Sequence, residues 1–157
     1  MGREGFRGRG LRFEAYIDGS CFGNPGESGF GVVLKDSTGT VVEEVGRYIG
    51  HATNNIAEYR GLLGCLEIVE SYKPETLIVY SDSELLVKQV KGEYRVKRPH
   101  LKELHAKILE MIRSASYAFE IHHIPREENA SADGLARRAI RRRSDTATKA
   151  GPHRQSG

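Results

Sequence analysis

Residues 77–82 read Leu-Ile-Val-Tyr-Ser-Asp, and this short stretch decides the fold class of the chain. A nearly continuous apolar run of strand length, followed at once by polar residues, is typical of a strand that is covered on both faces. Such a strand lies in the middle of a sheet that carries helices on its faces. The stretch therefore predicts an α/β domain, with Asp82 placed directly after a central strand.

The segment before this strand predicts three antiparallel strands. Apolar and polar residues alternate over 11–18, which gives the first strand one face on a core and ends it at Asp18 on the opposite face. Residues 20–29 are rich in Gly and Ser and predict a loop. Two more strands over 30–35 and 41–49, joined by a tight turn, complete an antiparallel meander.

Helical periodicity appears in four places. Apolar residues recur three and four positions apart over 56–72, over 84–90, after Pro99 and again from Ala130. A last strand over 118–124 lies between the third and the fourth helix. The order β-β-β-α-β-α-α-β-α predicts a mixed sheet with a parallel portion and with helices over its faces.

The overall composition predicts one intracellular domain. A length of 157 residues is common for a single domain with its own core. Cys21 and Cys65 are too few for a disulfide framework and have no metal-ligand spacing, so we expect free thiols in the reducing cytoplasm. Neither an apolar stretch of roughly 18 residues nor a signal-peptide pattern occurs, so the sequence predicts neither secretion nor a membrane span.

The charge is unevenly distributed along the chain. The net charge of +3 divides into +9 for the first 12 and last 21 residues together and −6 for the body between them. We expect a disordered basic Gly/Arg arm over 1–10, a folded domain over 11–143 and a disordered tail over 144–157. The basic ends either attract phosphate nonspecifically or only keep the chain soluble.

Four carboxylates stand where a predicted strand ends or a predicted helix begins, namely Asp18, Glu58, Asp82 and Asp133. Each has an ordinary structural explanation. Asp18 would open a turn, and Glu58 would form a capping box with Asn55. Asp82 would cap a helix, and Asp133 would interact favourably with the dipole of a first helical turn.

The placement of these carboxylates together favours metal binding. In the predicted topology the first and fourth strands are parallel neighbours, which brings Asp18 and Asp82 to the same edge of the sheet. Several carboxylates at one point repel each other unless divalent cations hold them. Two Mg²⁺ ions roughly 3.5–4 Å apart activate a water and stabilise the leaving oxygen in phosphoryl transfer. The pattern therefore predicts metal-dependent hydrolysis of a phosphodiester.

Four motifs around the carboxylates carry a family resemblance. They are Tyr16-Ile17-Asp18-Gly19-Ser20 with Gly23-Asn24-Pro25-Gly26, Thr53-Asn54-Asn55-Ile56-Ala57-Glu58, Tyr80-Ser81-Asp82-Ser83, and Asn129-Ala130-Ser131-Ala132-Asp133. In this order and at these separations they resemble type 1 ribonuclease H, the endonuclease that cuts the RNA of RNA/DNA hybrids. The resemblance extends from Phe13 to Ile140.

The resemblance implies the fold, the reaction and the catalytic residues. The RNase H-like fold is a five-stranded mixed sheet in the order 3-2-1-4-5 with its first three strands antiparallel, in agreement with the predicted topology. Asp18, Glu58, Asp82 and Asp133 would be the metal-binding catalytic carboxylates of the domain over 11–143, holding two Mg²⁺ ions or, alternatively, Mn²⁺. The protein would act as a monomer on RNA/DNA hybrid duplexes and leave 5′-phosphate and 3′-hydroxyl ends.

The resemblance also implies which residues contact the hybrid. In the family, asparagines of these motifs and a backbone segment approach the minor groove, where RNA displays its 2′-hydroxyls, and a threonine holds a phosphate of the DNA strand. The corresponding residues are Cys21, Gly23, Asn24, Thr53, Asn54 and Asn55. Helix capping by residues 53–55 and a Pro-Gly turn at Asn24 are the structural alternatives.

A fifth catalytic position departs from the family pattern. Many members carry a mobile His between the last strand and the last catalytic Asp, whereas the segment here reads His122-His123-Ile124-Pro125-Arg126-Glu127-Glu128-Asn129. It resembles a subgroup in which Arg replaces that His, so Arg126 is the candidate and His123 the alternative. An Arg would act electrostatically, because it stays protonated at neutral pH.

Contact with the DNA strand is a second departure. Many bacterial members have a basic, tryptophan-containing protrusion between the middle helices, whereas this chain has no Trp. The basic residues near that place are Lys91, Arg95, Lys97 and Arg98. Arginines of the last helix and the basic ends either compensate through phosphate contacts or form only a solvated surface.

Two other functions remain open from the sequence alone. A hybrid-binding module without activity would bind tightly and not cut, although the complete set of four carboxylates argues against it. DNA-cutting integrases and transposases share this architecture, but they lack the Asn24-Pro25-Gly26 and Thr53-Asn54-Asn55 segments. A preference for pure DNA duplex would identify a protein of that kind.

Overall fold

The computed structural model describes residues 11–150 as one mixed sheet with helices on its faces. In chain order the elements are β1 (Arg12–Phe22), β2 (Gly26–Lys35), β3 (Val41–Ala52), α1 (Asn54–Val69), β4 (Thr76–Ser81), α2 (Glu84–Val90), α3 (Pro99–Ser114), β5 (Ala118–His123), α4 (Ala130–Arg142) and β6 (Thr146–Lys149), with short 3-10 turns at Glu70–Tyr72 and Arg126–Glu128. Every strand and helix that the sequence predicts is present.

The sheet has the strand order β5-β4-β1-β2-β3-β6. β4 runs parallel to β1 and to β5, while β1, β2, β3 and β6 form antiparallel pairs. The predicted α/β class and the predicted order of the first five strands are therefore confirmed. Because β4 lies between two parallel neighbours, Leu77, Ile78 and Val79 are all buried, as their continuous apolar run predicted.

The helices cover the two faces of the sheet. α1 packs on the face that carries Ala15 and Ile17 of β1, and α3 packs against α1, so that both helices contribute to the main core. α4 packs on the opposite face with a smaller core that includes Val33 and Leu135. β1 therefore contacts a helix on each of its faces.

None of the helices within residues 11–150 is long and apolar enough to cross a membrane.

The loop predicted over 20–29 is wrong, because these residues form a β-hairpin. β1 continues past Asp18 as far as Phe22, and β2 already begins at Gly26. The antiparallel register runs without a break from Asp18 opposite Gly31 to the last pair at the hairpin tip. Asp18 thus lies inside a strand rather than at its end.

Glycines of β2 and β3 form the packing surface for α4. A Cβ on Gly31 would lie 2.2 Å from the carbonyl oxygen of Ala132, and a Cβ on Gly46 would lie 2.7 Å from that of Leu135. Without side chains at these positions, the backbone of α4 approaches the sheet closely. Gly29, the last residue of the segment predicted as a loop, also faces α4, since its Cβ would lie 3.3 Å from the carbonyl oxygen of Ala136. The glycines of that segment therefore reflect helix packing as well as the tight turn of the hairpin.

The predicted disordered tail is wrong for its first part. Residues Thr146–Lys149 form β6, which pairs antiparallel with residues 43–46 of β3 and makes the sheet six-stranded rather than five-stranded. β6 consists of Thr, Ala, Thr and Lys on the exposed edge, so no apolar alternation marks it. The predicted arm over 1–10 and the end of the predicted tail, residues 151–157, lie outside the described residues.

Candidate active site

Three of the four predicted carboxylates meet at one point. Asp18, Glu58 and Asp82 each offer an oxygen, and these oxygens lie within 4.8 Å of one another. The two aspartates are placed by β1 and β4, whose parallel pairing ends with Ile17 opposite Ser81. The next residue after each of these is an aspartate, so both carboxylates stand at the same edge of the sheet.

Glu58 reaches this edge because α1 packs closely on β1. Its carboxylate accepts a hydrogen bond from the Gly19 N–H at 2.8 Å. A Cβ on Gly19 would lie 2.4 Å from the backbone of Ala57 and Glu58, so glycine is needed for this approach. The helix is capped by Thr53, whose hydroxyl accepts from the Ile56 N–H at 3.2 Å. The capping-box explanation of Glu58 is therefore wrong.

The structural explanations of the two sheet-edge aspartates are also wrong. Asp18 lies within β1 rather than in a turn. Ser83, not Asp82, caps α2 by accepting a hydrogen bond from the Leu86 N–H. Asp133 does lie in the first turn of α4, where a carboxylate interacts favourably with the helix dipole. Local structure therefore does not account for Asp18 or Asp82.

Ser20 joins Asp133 to the cluster. The Ser20 hydroxyl lies 3.2 Å from Asp133 Oδ1 and 3.5 Å from Asp18 Oδ2, and it can donate to either oxygen. Ser20 is 8% exposed. The structure thus places the fourth carboxylate next to the other three.

Burial and mutual repulsion raise the pKa values of two carboxylates of the cluster, Asp18 and Glu58. Burial first, and then the charges of Glu58 and Asp82, raise the pKa of Asp18 to about 9. Burial raises the pKa of Glu58 to about 8, against the lowering effect of the Gly19 N–H and of the Arg126 charge. At neutral pH the cluster therefore keeps protons that a bound cation would displace.

The atoms that converge here suit a hard divalent cation. All of them are carboxylate oxygens, the ligands that Mg²⁺ and Mn²⁺ prefer, whereas zinc sites are built mainly from His and Cys. The raised pKa values also follow from negative groups that lack a positive partner of their own at close range. The residues present therefore fit a divalent cation, and Asp18, Glu58 and Asp82 would hold it.

The two candidates for the fifth position lie on either side of Pro125. Arg126 begins the 3-10 turn before α4, and its positive charge lowers the pKa of Glu58. His123 is the last residue of β5, opposite Ser81, and its side chain is exposed. Of the two, Arg126 is the one whose charge acts on a carboxylate of the cluster.

The tip of the β1–β2 hairpin is tied to the start of α1. The Asn24 side-chain oxygen accepts a hydrogen bond from the Asn54 N–H at 2.9 Å. The Cys21 thiol donates to the Ala52 carbonyl oxygen at 3.3 Å and also contacts the Gly23 carbonyl oxygen. These contacts bring the predicted substrate residues of two separate motifs into one surface.

A cleft of about 400 Å³ opens beside this surface. Its walls include Asn24, Thr53 and Asn55 from the predicted set and Arg98 and His100 from the start of α3. The sequence singled out Arg98 only as one of several basic residues, and it carried no signal for His100. Only the folded chain brings the starts of α1 and α3 together.

Two buried polar residues of the site were missed by sequence reasoning. Ser20 bridges Asp18 and Asp133, and Asn129, which is 1% exposed, donates a hydrogen bond to Asp82 Oδ2 at 3.2 Å. Both stand inside the motifs that surround the carboxylates, which is the signal that was available. Their roles depend on contacts between distant segments, which the motifs do not reveal.

The chain is similar to known proteins over most of its length. A family model described as reverse transcriptase-like matches residues 16–139. Ribonuclease HI of Halobacterium salinarum is 37% identical over 132 residues, which cover 84% of this chain and 66% of the relative. A bifunctional protein of Mycobacterium tuberculosis is 37% identical over 124 residues, which cover 78% of this chain and 34% of that protein. The chain thus spans about two thirds of one relative and about one third of the other.

A solved structure matches with nearly complete coverage. LC11-RNase H1, isolated from compost and determined in complex with an RNA/DNA hybrid, is 41% identical and has a TM-score of 0.80, covering 83% of this chain and 98% of that chain. The family model spans all four carboxylates and the motifs around them. From the fold, the carboxylate cluster and these matches, the chain belongs to the type 1 ribonuclease H family.

Proposed function

We propose that this chain hydrolyses the RNA strand of RNA/DNA hybrids as an endonuclease and leaves 5′-phosphate and 3′-hydroxyl ends. The observation that carries the proposal is the convergence of Asp18, Glu58 and Asp82 within 4.8 Å, with Asp133 joined to them through Ser20. Carboxylates at such short distances repel each other unless divalent cations bind them. Phosphodiester hydrolysis is the reaction that such a site serves.

The four carboxylates would hold two divalent cations, Mg²⁺ or Mn²⁺. Asp18 and Asp82 would anchor them at the sheet edge, Glu58 would bind on the side of the substrate ribose, and Asp133 would complete the second site. When bound, the cations activate a water and neutralise the charge that develops on the leaving oxygen. Because β1, α1 and α4 fix the carboxylates in advance, little reorganisation is needed during the reaction.

Arg126 would stabilise negative charge beside the carboxylates. An Arg cannot accept a proton at neutral pH, so its contribution would be electrostatic. Its charge opposes the rise in the pKa of Glu58 that burial causes, which supports Arg126 over His123 as the fifth catalytic residue.

The hairpin tip and the start of α1 would contact the minor groove of the hybrid. Asn24, Asn54 and Asn55 offer amide groups, and the backbone from Cys21 to Gly23 would approach the 2′-hydroxyls that distinguish RNA from DNA. The hydrogen bond from the Asn54 N–H to Asn24 holds the two segments together. This contact supports a binding surface that exists before the substrate arrives.

The cleft between the starts of α1 and α3 would hold a phosphate of the DNA strand. Thr53 lies in its wall and caps α1 through its hydroxyl oxygen, which leaves the hydroxyl proton free for a phosphate. Arg98 lies in the same wall and brings the positive charge that a phosphate contact needs. This arrangement supports contact with the DNA strand in a chain that has no Trp.

The proposed location is the cytoplasm. Cys21 and Cys65 are both free thiols, and burial raises the pKa of the Cys65 thiol to about 12, which makes it unreactive. Free thiols without a disulfide are typical of a reducing compartment.

Cleavage of defined duplexes tests the proposed function. An RNA strand with a 5′ label is annealed to DNA and incubated with the protein and Mg²⁺, beside RNA/RNA and DNA/DNA duplexes of the same sequence. We expect internal cuts only in the RNA of the hybrid, with 3′-hydroxyl ends on the labelled products and no cuts in the presence of a chelator. Cleavage of the DNA duplex, or hybrid binding without cleavage in either Mg²⁺ or Mn²⁺, would contradict the proposal.

A further inference from the structure

Asn129 is a buried amide that does not take the usual role of its position. It directly precedes α4 and is 1% exposed. An Asn at this position commonly caps the helix by accepting a hydrogen bond from one of its first N–H groups. Here the side chain makes no capping hydrogen bond, although the Asn129 carbonyl oxygen accepts from the Asp133 N–H at 3.1 Å. The side-chain amide of Asn129 is therefore available for hydrogen bonds to residues outside α4.

The amide nitrogen joins the backbone of β1 to the residue that follows β4. Asn129 Nδ2 donates to the carbonyl oxygen of Ile17 at 2.7 Å and to Asp82 Oδ2 at 3.2 Å. Since a carbonyl oxygen can only accept, the atom that faces Ile17 must be the nitrogen, and this fixes the orientation of the amide. Ile17 is followed by Asp18, and Asp133 lies one turn after Asn129. One residue therefore connects the segments that carry three of the four carboxylates.

The amide oxygen indicates that these contacts do more than stabilise the fold. Among the buried side-chain atoms of residues 11–150, Asn129 Oδ1 has no hydrogen-bond partner. Burying an unpaired acceptor costs stability, so a residue kept only for the core would be apolar or fully bonded. Buried polar groups that lack a partner call for a functional explanation or an ordered water.

We propose that Asn129 is a positioning residue, which fixes the Asp82 carboxylate against the backbone of β1 at Ile17 so that Asp18 and Asp82 keep the spacing that a shared cation requires. This inference rests on the proposed function. Asp82 follows the last residue of β4, so strand pairing with β1 does not hold it. The amide restrains the carboxylate without adding a positive charge, and the negative charge stays available for the cation.

Calorimetric titration with Mn²⁺ tests Asn129→Ala against a matched control. The control is Gln89→Ala, because Gln89 is also a buried amide, whose nitrogen donates to the Arg95 carbonyl oxygen at 3.0 Å and whose oxygen accepts from the Tyr59 hydroxyl. Both variants lose a buried, hydrogen-bonded amide, so both are expected to unfold at lower urea concentration. Only Asn129→Ala is expected to bind Mn²⁺ about 10- to 100-fold more weakly than the wild type.

Cleavage kinetics give a second readout. Asn129→Ala is expected to raise the Mg²⁺ concentration for half-maximal rate by about 10- to 100-fold and to leave the KM for the hybrid at saturating Mg²⁺ unchanged. Gln89→Ala is expected to keep the wild-type values of both. If the wild type does not cut hybrids, the proposed function fails, whereas the Mn²⁺ titration still decides the role of Asn129.

Asn129→Ser is the second variant, to be measured if Asn129→Ala does not fold. Ser is also a favoured residue before a helix, but its side chain is too short to reach Ile17 and Asp82 together. We expect the same loss of Mn²⁺ affinity as in Asn129→Ala. Wild-type affinity in a folded variant of Asn129, or an equal loss of affinity in Gln89→Ala, would overturn the proposal.

Discussion

At the scale of single residues, the carboxylate cluster makes the metal-free protein less stable as the pH rises. The pKa values of Asp18 and Glu58 are raised to about 9 and about 8, with burial as the largest cause. Between the ordinary pKa of a carboxyl group, about 4, and these values, the folded protein binds more protons than the unfolded chain does. The free energy of unfolding is therefore greatest below this window and falls as the pH rises through it.

Asp18→Asn should stabilise the metal-free protein at pH 8 and abolish cleavage. The variant keeps the shape of the side chain and removes the buried charge, so we expect the free energy of unfolding to rise by at least about 1.4 kcal/mol, the equivalent of one pKa unit. Urea denaturation in the presence of a chelator measures the change. The gain should shrink towards pH 4, where the wild-type carboxyl is neutral as well. A variant no more stable than the wild type at pH 8 would argue against a repulsive cluster.

Arg126→Ala should slow cleavage more than His123→Ala. Loss of the guanidinium removes a positive charge that acts on Glu58, and we expect kcat to fall about 10-fold or more. The side chains of His123 and Arg126 are both exposed, but His123 lies at the end of β5, and its removal is expected to change kcat less than the loss of the guanidinium does. Steady-state cleavage of a hybrid by both variants makes the comparison. Equal, unchanged rates would remove both residues from the mechanism.

The carboxylates could be predicted from the sequence, but the residues that hold them could not. Asp82 follows a strand whose apolar run is visible, and Asp18 ends an alternating pattern, so their shared sheet edge follows from the predicted strand order. Ser20 and Asn129 instead have the side chains of ordinary turn and cap residues. Their hydrogen bonds to the cluster join segments that are far apart in the sequence, and only the tertiary structure brings these together.

At the scale of elements, the position of α4 depends on the glycines beneath it. Gly31 and Gly46 lie under the backbone of α4, where a side chain would collide with carbonyl oxygens of the helix. α4 carries Asp133 in its first turn. The close packing of this helix therefore determines how near Asp133 lies to Asp18.

Gly31→Ala should displace α4 and impair both stability and cleavage. Its Cβ would lie 2.2 Å from the carbonyl oxygen of Ala132, and helix backbone cannot rotate away as a side chain can. We expect the free energy of unfolding to fall by roughly 1–3 kcal/mol and kcat to fall with it.

Gly134→Ala is the control for Gly31→Ala, because its Cβ would meet no atom within 4 Å. This change at a partly buried position of α4 should raise the free energy of unfolding by roughly 0.5–1 kcal/mol through helix propensity. Urea denaturation of the two variants measures these changes in the free energy of unfolding. A similar response of the two variants would contradict the close packing of α4.

Two elements of the structure differ from the sequence-based prediction, and each difference has a physical reason. The sequence predicts a loop over 20–29 because glycines are common turn residues, and a glycine does not reveal whether it serves a turn or close packing. β6 was missed because an edge strand made of Thr, Ala, Thr and Lys buries little and needs no apolar alternation. The five strands and four helices with apolar patterns were all predicted, because burial of those patterns drives their packing.

At the scale of the whole molecule, an acidic site lies among basic surfaces. The body of the chain carries a net charge of −6, and its carboxylate cluster lies next to the hairpin tip. Exposed Arg137 of α4 stands over the ring of Phe22 at 5.3 Å, so the basic outer side of α4 borders that tip. Arg98 lies in the cleft with Thr53, whose wall also includes Asn24 of the hairpin tip. A hybrid bound at the site would meet positive charge beside the hairpin tip and cations at the carboxylates.

Mg²⁺-dependent cleavage of a labelled RNA/DNA hybrid by Asp82→Asn, beside Asp36→Asn, tests the central claim most directly. Asp36 is the matched control, because it is an aspartate whose carboxylate accepts hydrogen bonds in the exposed turn between β2 and β3, away from the cluster. The wild type and Asp36→Asn should cut the RNA strand with the same kcat, whereas Asp82→Asn should lower kcat by about 100-fold or more. Undiminished cleavage by Asp82→Asn would contradict a catalytic role for the carboxylate cluster.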